Sequence, residues 1–248
     1  MININGLYKF RDFFNDHTDK YVLIGGSACS IVFDEVGEDF RATKDLDVVL
    51  IVENISDDFG KIFWEFIKEA NYNGIETGEI QKQFYRFKDP QNKDFPKMIE
   101  LFSRKPQIDL LPDTHLTPIH ISDDVSSLSA ILLNDDYYTF LLNGRRIIDG
   151  FSVLDEKYLI PFKTKAWCEL VERRNKGEEG NSKHIKKHYR DIYKLLMLLP
   201  ESEKVQLADQ VKLDMQNFID GVEQGLFISE DIDNDFLCKK LREIYLSA

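Results

Sequence analysis

Apolar and polar positions alternate with two different rhythms along this chain. The first part is broken into short apolar runs of strand length: 22–24, 48–52, 83–87 and 97–102, with further short candidates at 107–110 and 117–121. Between them lie helical patterns. Residues 4–14 space Leu7, Phe10, Phe13 and Phe14 along one face, and residues 59–70 do the same with Ile62, Phe63, Phe66 and Ile67. Residues 126–142 read as a helix through Leu128, Ile131, Leu132, Tyr138 and Leu141, closed by Asn143 and Gly144. Extended pieces around Asp149 and Gly150 complete this part.

After Leu154 the period changes to that of helices. Residues 155–174 bury Leu159, Phe162, Ala166, Trp167, Leu170 and Val171 on one face, and residues 184–199 do so with Ile185, Tyr189, Ile192, Tyr193 and Leu196. A polar loop, 176–182, separates them, and Pro200 stops the second. Helices at 202–212, 214–223 and 235–246 are expected to finish a bundle. The expected architecture is therefore α/β (α+β): a mixed sheet with flanking helices over residues 1–154, followed by a C-terminal helical bundle over 155–248.

The candidate chemistry sits in residues 22–53. The grammar there is strand, Gly25-Gly26-Ser27 turn, helix, then a strand opening Asp45-Leu46-Asp47. Glycines let a backbone approach a ligand closely. Ser27 stands where an N-cap is expected, and a helix start offers N–H groups and a positive dipole end to phosphate. Residues two apart on a strand share a face, so Asp45 and Asp47 point one way and Leu46, Val48 and Leu50 the other. Two carboxylates on one face repel, and a hard divalent cation removes that cost. Glu100 interrupts an otherwise apolar strand and is the favoured third acid. Asp109 competes, on a run hemmed by Pro106 and Pro112. His120 reads as structural or exposed.

Gly25-Gly26-Ser27 followed by Asp45-Leu46-Asp47 resembles the nucleotidyltransferase superfamily, the DNA polymerase β-like fold. The spacer between the two motifs is longer than in the smallest members, which implies a longer helix or loop. A closer resemblance is to AbiEii-type nucleotidyltransferases, the toxin components of abortive-infection systems. It is carried by 159–167, LIPFKTKAW, then Glu172-Arg173-Arg174, and by 187–195, KHYRDIYKL. Lys194 stands where family members often carry a second Asp. The resemblance covers residues from about 20 to 200.

It implies transfer of a nucleoside monophosphate from an NTP to an acceptor hydroxyl, with release of pyrophosphate. Asp45, Asp47 and Glu100 would bind Mg²⁺ (or Mn²⁺), with Glu100 also able to polarise the acceptor hydroxyl. Gly25, Gly26 and Ser27 would hold the triphosphate, joined by Asp191 and by Lys165 from across a cleft between the two parts. Lys163 is the competing lysine; Lys165 is preferred because Ala166 follows it directly and Arg173 lies eight residues on. Implied partners are the NTP, an RNA acceptor such as tRNA, and a cognate antitoxin. Two rival functions belong to other classes: a catalytically inactive binding or regulatory protein, and an aminoglycoside-type enzyme acting on small molecules.

Composition narrows this only a little. The 248 residues are 43% hydrophobic and carry a net charge of −12. That excludes broad, nonspecific coating of nucleic acid but permits local basic patches. Two such groups stand out: Lys93, Lys97, Arg104 and Lys105, and the run of Lys183, His184, Lys186, Lys187, His188 and Arg190. Three widely spaced cysteines, Cys29, Cys168 and Cys238, argue against a disulfide framework or zinc finger, and a cytoplasmic setting is expected. No apolar run approaches the ~20 residues of a membrane helix, and no secretory signal is evident.

Overall fold

The structure, a computed structural model, describes residues 4–77, 83–104, 108–111, 114–116, 131–132, 134–178, 181–227, 229 and 231–247. The chain forms two compact units. The first comprises residues 1–133 and 145–155, the second residues 134–144 and 156–248. The chain thus enters the helical unit once, through the helix at 135–143, before returning to it for good.

The α/β unit is built on a seven-stranded mixed sheet. Its strands in chain order are β1 (Tyr21–Ile24), β2 (Asp45–Leu50), β3 (Tyr72–Thr77), β4 (Gln83–Pro90), β5 (Met98–Phe102), β8 (Arg145–Ile148) and β9 (Phe151–Leu154). They lie in the order β3-β4-β5-β2-β1-β9-β8. β2 runs parallel to β5, and β1 parallel to β9. The remaining neighbours are antiparallel, including the expected β4–β5 hairpin. A separate two-stranded ribbon joins β6 (Ile108–Leu111) to β7 (Thr114–Leu116). The expected strand at 117–121 lies outside the described residues.

Helices α1 (Leu7–Phe14), α2 (Gly25–Glu35) and α3 (Asp57–Ala70) belong to this unit. Ser56 starts α3 by accepting from the Phe59 amide, with Asp57 and Asp58 in the positive first turn. Asn71 ends it in the left-handed conformation. The apolar faces of α1 and α3 meet in an aromatic cluster. Phe10, Phe14, Phe59, Phe63 and Phe66 pack with one another and with Tyr21 of β1. Such rings bury large apolar areas and also gain from edge-to-face geometry. This layer fixes β1, and through it the strand that carries the acids.

The helical unit contains α4 (Asp135–Asn143), α5 (Glu156–Asn175), α6 (Asn181–Leu198), α7 (Asp209–Glu223) and α8 (Asn234–Tyr245). Of the helix expected over 126–142, residues 126–130 and 133 lie outside the described residues, 131–132 are helical, and a bend at Asn134 precedes α4, which Asn134 caps by accepting from the Asp136 and Tyr137 amides. One expectation is corrected here. Residues 202–208 are not helical, and a single helix runs from 209 to 223. The Val205 amide instead donates to the Ile244 carbonyl, so this stretch is tied to the end of α8. Pro161 lies inside α5 and cannot donate to the Lys157 carbonyl. The Tyr245 hydroxyl donates to that carbonyl instead, at 2.7 Å. Among the described residues no helix is long and apolar enough to cross a membrane.

Candidate active site

The three acids lie on one face of the α/β sheet. β2 alternates in burial: Leu46 and Val48 are buried, while Asp45 and Asp47 are half-buried on the other face. In the register, Asp47 faces Glu100 of β5 directly, and Asp45 faces Met98. Neighbours in register point to the same side of a sheet, so Glu100 shares the face of Asp45 and Asp47. Asp109 is placed elsewhere. It lies on the separate ribbon, opposite His115.

On the other flank Asp47 faces Ile24, the last residue of β1. Gly25 follows with φ of 65° and opens α2. A Cβ on Gly25 would stand 1.9 Å from the Asp47 Oδ2, so the carboxylate occupies the space a side chain would need. A Cβ on Gly26 would stand 2.8 Å from the Thr43 Oγ1, with the Arg41 guanidinium next nearest at 3.5 Å. The two glycines therefore admit an acid and a threonine to the helix start, and Arg41 is a cation there that sequence reasoning missed. Its signal was weak, a lone arginine in a loop.

Ser27 does not cap the helix. It lies within the first turn, fully buried, and its hydroxyl donates to the Ile24 carbonyl at 2.9 Å. The capping position is Ile24, which has no side-chain acceptor to offer, and no side-chain cap bond forms there. The first amides of α2 and the dipole remain suited to an anion.

Arg86 is a second missed residue. It faces Glu100 across β4 and β5, and its Nε donates to the Glu100 Oε1 at 2.5 Å. The period-2 pattern of residues 83–87 placed Arg86 on a strand, but only the register could place it beside Glu100. Among the described residues no three His, Cys, Asp or Glu side chains converge as a preformed metal cage. The donor chemistry fits a hard cation at Asp45 and Asp47, since Mg²⁺ commonly takes one or two carboxylates and completes its shell with water and phosphate. The Oε1 of Glu100 is held by Arg86, so a cation at that oxygen would compete with this bond.

The helical unit holds the other candidates. Lys163 of α5 and Asp191 of α6 are 4% and 1% exposed, and the lysine Nζ donates to the Asp191 Oδ2 at 2.9 Å. This pair joins the two helical motifs of residues 159–167 and 187–195. Lys165 keeps a quarter of its side chain exposed and donates to the Asp214 Oδ1 of α7 at 3.2 Å. Asp214 also accepts from the Tyr137 hydroxyl at 3.1 Å. Glu169 lies 3.8 Å from the Lys165 Nζ. Burial pushes its carboxyl up to about 7, with Lys165 opposing that shift. Burial likewise pushes the neighbouring Cys168 thiol up to about 12, so it is no thiolate nucleophile at neutral pH.

A mixed sheet with acids on two parallel central strands, beside a glycine-opened helix, is a nucleotidyltransferase-like fold. A solved structure carries that likeness: the crystal structure of an antigenic nucleotidyltransferase-like protein from Paracoccidioides brasiliensis. It is 14% identical, with a TM-score of 0.50 over 97% of this chain and 94% of that one. At this identity the likeness speaks for the fold. No family model and no curated protein sequence matches the chain.

Proposed function

We propose that this protein is a metal-dependent nucleotidyltransferase that moves a nucleoside monophosphate from an NTP to an acceptor hydroxyl. One observation carries the reading: Asp45, Asp47 and Glu100 share a sheet face, with Asp47 seated on the glycine that opens α2. Phosphoryl transfer asks a protein for positioning and charge stabilisation more than for covalent chemistry. Asp45 and Asp47 would hold Mg²⁺ (or Mn²⁺), which when bound supplies charge neutralisation to the phosphates. The uncapped amides of Gly25, Gly26 and Ser27 would take the triphosphate. Glu100, once freed from Arg86, is the carboxylate next to Asp47 able to accept the proton of the acceptor hydroxyl. Of the two helical lysines, Lys163 is committed to a buried acid, whereas Lys165 keeps solvent-facing surface. Lys165 is accordingly the helical lysine with charge to offer a phosphate, and Asp191 acts through Lys163.

The acceptor class we favour is an RNA end such as that of tRNA, with a protein or small molecule as the other hydroxyl bearers. The helical motifs support a toxin-like, AbiEii-type role with a cognate antitoxin. The direct test is to incubate a cell extract with radiolabelled NTPs and the protein, and to identify the molecule that gains label. The expected result is a single labelled class of acceptor. Asp47→Asn should lower the labelling rate at least 100-fold, about 2.7 kcal/mol of transition-state stabilisation. Labelling at the wild-type rate by this variant would end the metal assignment.

The Arg86–Glu100 ion pair favours one second reading, a nucleotide-binding regulator without turnover. Metal-dependent NTP binding by calorimetry, with no labelled acceptor under any condition, would establish it.

A further inference from the structure

A cavity of about 470 Å³ in the α/β unit is lined by Lys44, Lys93 and Lys97. Three lysines around one cavity stand against the grain of a chain with net charge −12. All three are exposed, and one carboxylate, that of Asp89, shares the lining. The Lys93 Nζ donates to the Pro90 carbonyl at 2.8 Å. The wall is apolar where Phe95 and Pro90 contribute, and both are buried.

The cavity is held in shape by the chain around it. The Asn5 side-chain Nδ2 donates to the Lys93 carbonyl at 2.5 Å and to the Phe95 carbonyl at 3.0 Å. The Asp89 amide donates to the Lys97 carbonyl at 3.0 Å. These bonds fix the turn that carries Lys93, Phe95 and Lys97.

Its position relates it to the acids. Lys44 directly precedes Asp45, and Lys97 directly precedes Met98, the register partner of Asp45. Because β2 and β5 are parallel, both lysines arrive at the same end of the sheet. Thr43 lines the cavity too, and its side chain packs on Gly26 at the start of α2.

We propose that this cavity is the acceptor subsite, and that it holds a phosphate-bearing nucleotide of a nucleic-acid acceptor beside Asp45 and Asp47. The inference rests on the transfer reading above. A volume of several hundred Å³ suits a nucleotide unit rather than a bare phosphate. An apolar wall takes the base or sugar, and lysines take phosphate as point charges without selecting a base. The donor phosphates have their own place at the amides of α2, which leaves the lysine cavity to the second substrate.

The test reads binding without turnover. A labelled single-stranded oligoribonucleotide is titrated with the full chain by fluorescence anisotropy at several salt concentrations. ATP with Mg²⁺ is measured separately by calorimetry. In the Lys44→Gln, Lys97→Gln double variant, oligoribonucleotide affinity should fall at least tenfold. The slope of log K against log salt should fall by about 1.4, at ~0.7 for each lost phosphate contact. ATP affinity and the thermal melt should stay as in the wild type. Lys61→Gln, an exposed lysine on α3, should change nothing. Unchanged oligoribonucleotide affinity in the double variant overturns the proposal. So does an equal loss in Lys61→Gln, or a tenfold loss of ATP affinity, which would make the cavity the donor site. Lysine-dependent oligoribonucleotide binding without any transfer would sink the transfer reading and leave the nucleic-acid site standing.

Discussion

The two units differ in how they group their charges. In the α/β unit, Asp45, Asp47 and Glu100 gather half-buried on one sheet face, with Arg86 paired to Glu100. In the helical unit, Lys163 and Asp191 are buried against each other, and Asp214 is shared between Lys165 and Tyr137. Like charges gathered at a partly open position suit an external cation or phosphate. Opposite charges closed on one another are satisfied within the fold. The acids of the sheet are therefore expected to govern activity, and the buried pair of the bundle to govern stability.

The largest expected effect falls on the bundle. Asp191→Ala leaves the Lys163 ammonium buried without its carboxylate, which should cost about 3–5 kcal/mol. The measurement is chemical denaturation. A joint Lys163→Met, Asp191→Leu replacement should recover most of that loss, since both charges leave together. A small loss in Asp191→Ala would mean that the pair is a ligand site held at little structural cost, and the contrast would collapse.

Gly25→Ala comes next and acts on the α/β unit. The new methyl meets the Asp47 carboxylate, and the left-handed backbone at this position is unfavourable for alanine. A loss of about 1–3 kcal/mol is expected, together with a drop in transfer as Asp47 is displaced. Full activity with a normal melt would show that the acid and the helix start are not coupled. Asp47→Asn sharpens the same contrast, because its melting temperature should stay near that of the wild type while labelling is lost.

The smallest effect is a pH dependence in the bundle. The Glu169 carboxyl is raised from its ordinary 4.5 to about 7, with burial the first cause. Between those values the folded chain holds a proton that the unfolded chain has released. Stability is therefore present in full below about 4.5 and is lost as pH rises towards 7. Glu169→Gln should flatten Tm across that range. A wild-type Tm that rises from pH 5 to 7, with no change in the variant, would remove Glu169 from the account.

Much of the fold was legible because it depends on local period and turn chemistry. Alternation at 45–50 and 98–102 marked two strands, and three-four spacing marked α1, α3, α5 and α6. The misreadings have local causes. Residues 202–208 carry a helical composition, yet the Val205 amide has a partner on α8, and that tertiary bond decides the conformation. Ser27 has the chemistry of a cap, yet the left-handed Gly25 lets the helix begin three residues earlier, with Ile24 at the capping position.

What the sequence determined by itself is which residues share a strand face and where the glycines fall, because both follow from the backbone period and from the missing Cβ. It marked Asp45, Asp47 and Gly25 in this way. It left Glu100 and Asp109 in competition, since pairing between strands distant in the chain is a matter of register. Tertiary structure placed Glu100 beside Asp47, set Arg86 against it and sent Asp109 to another ribbon. It also chose Asp191 as the partner of Lys163, and Asp214 as that of Lys165. Residues 163 and 165 are two apart on one helix, so they point to different sides, and only the packing of α6 and α7 decides which acid each one meets.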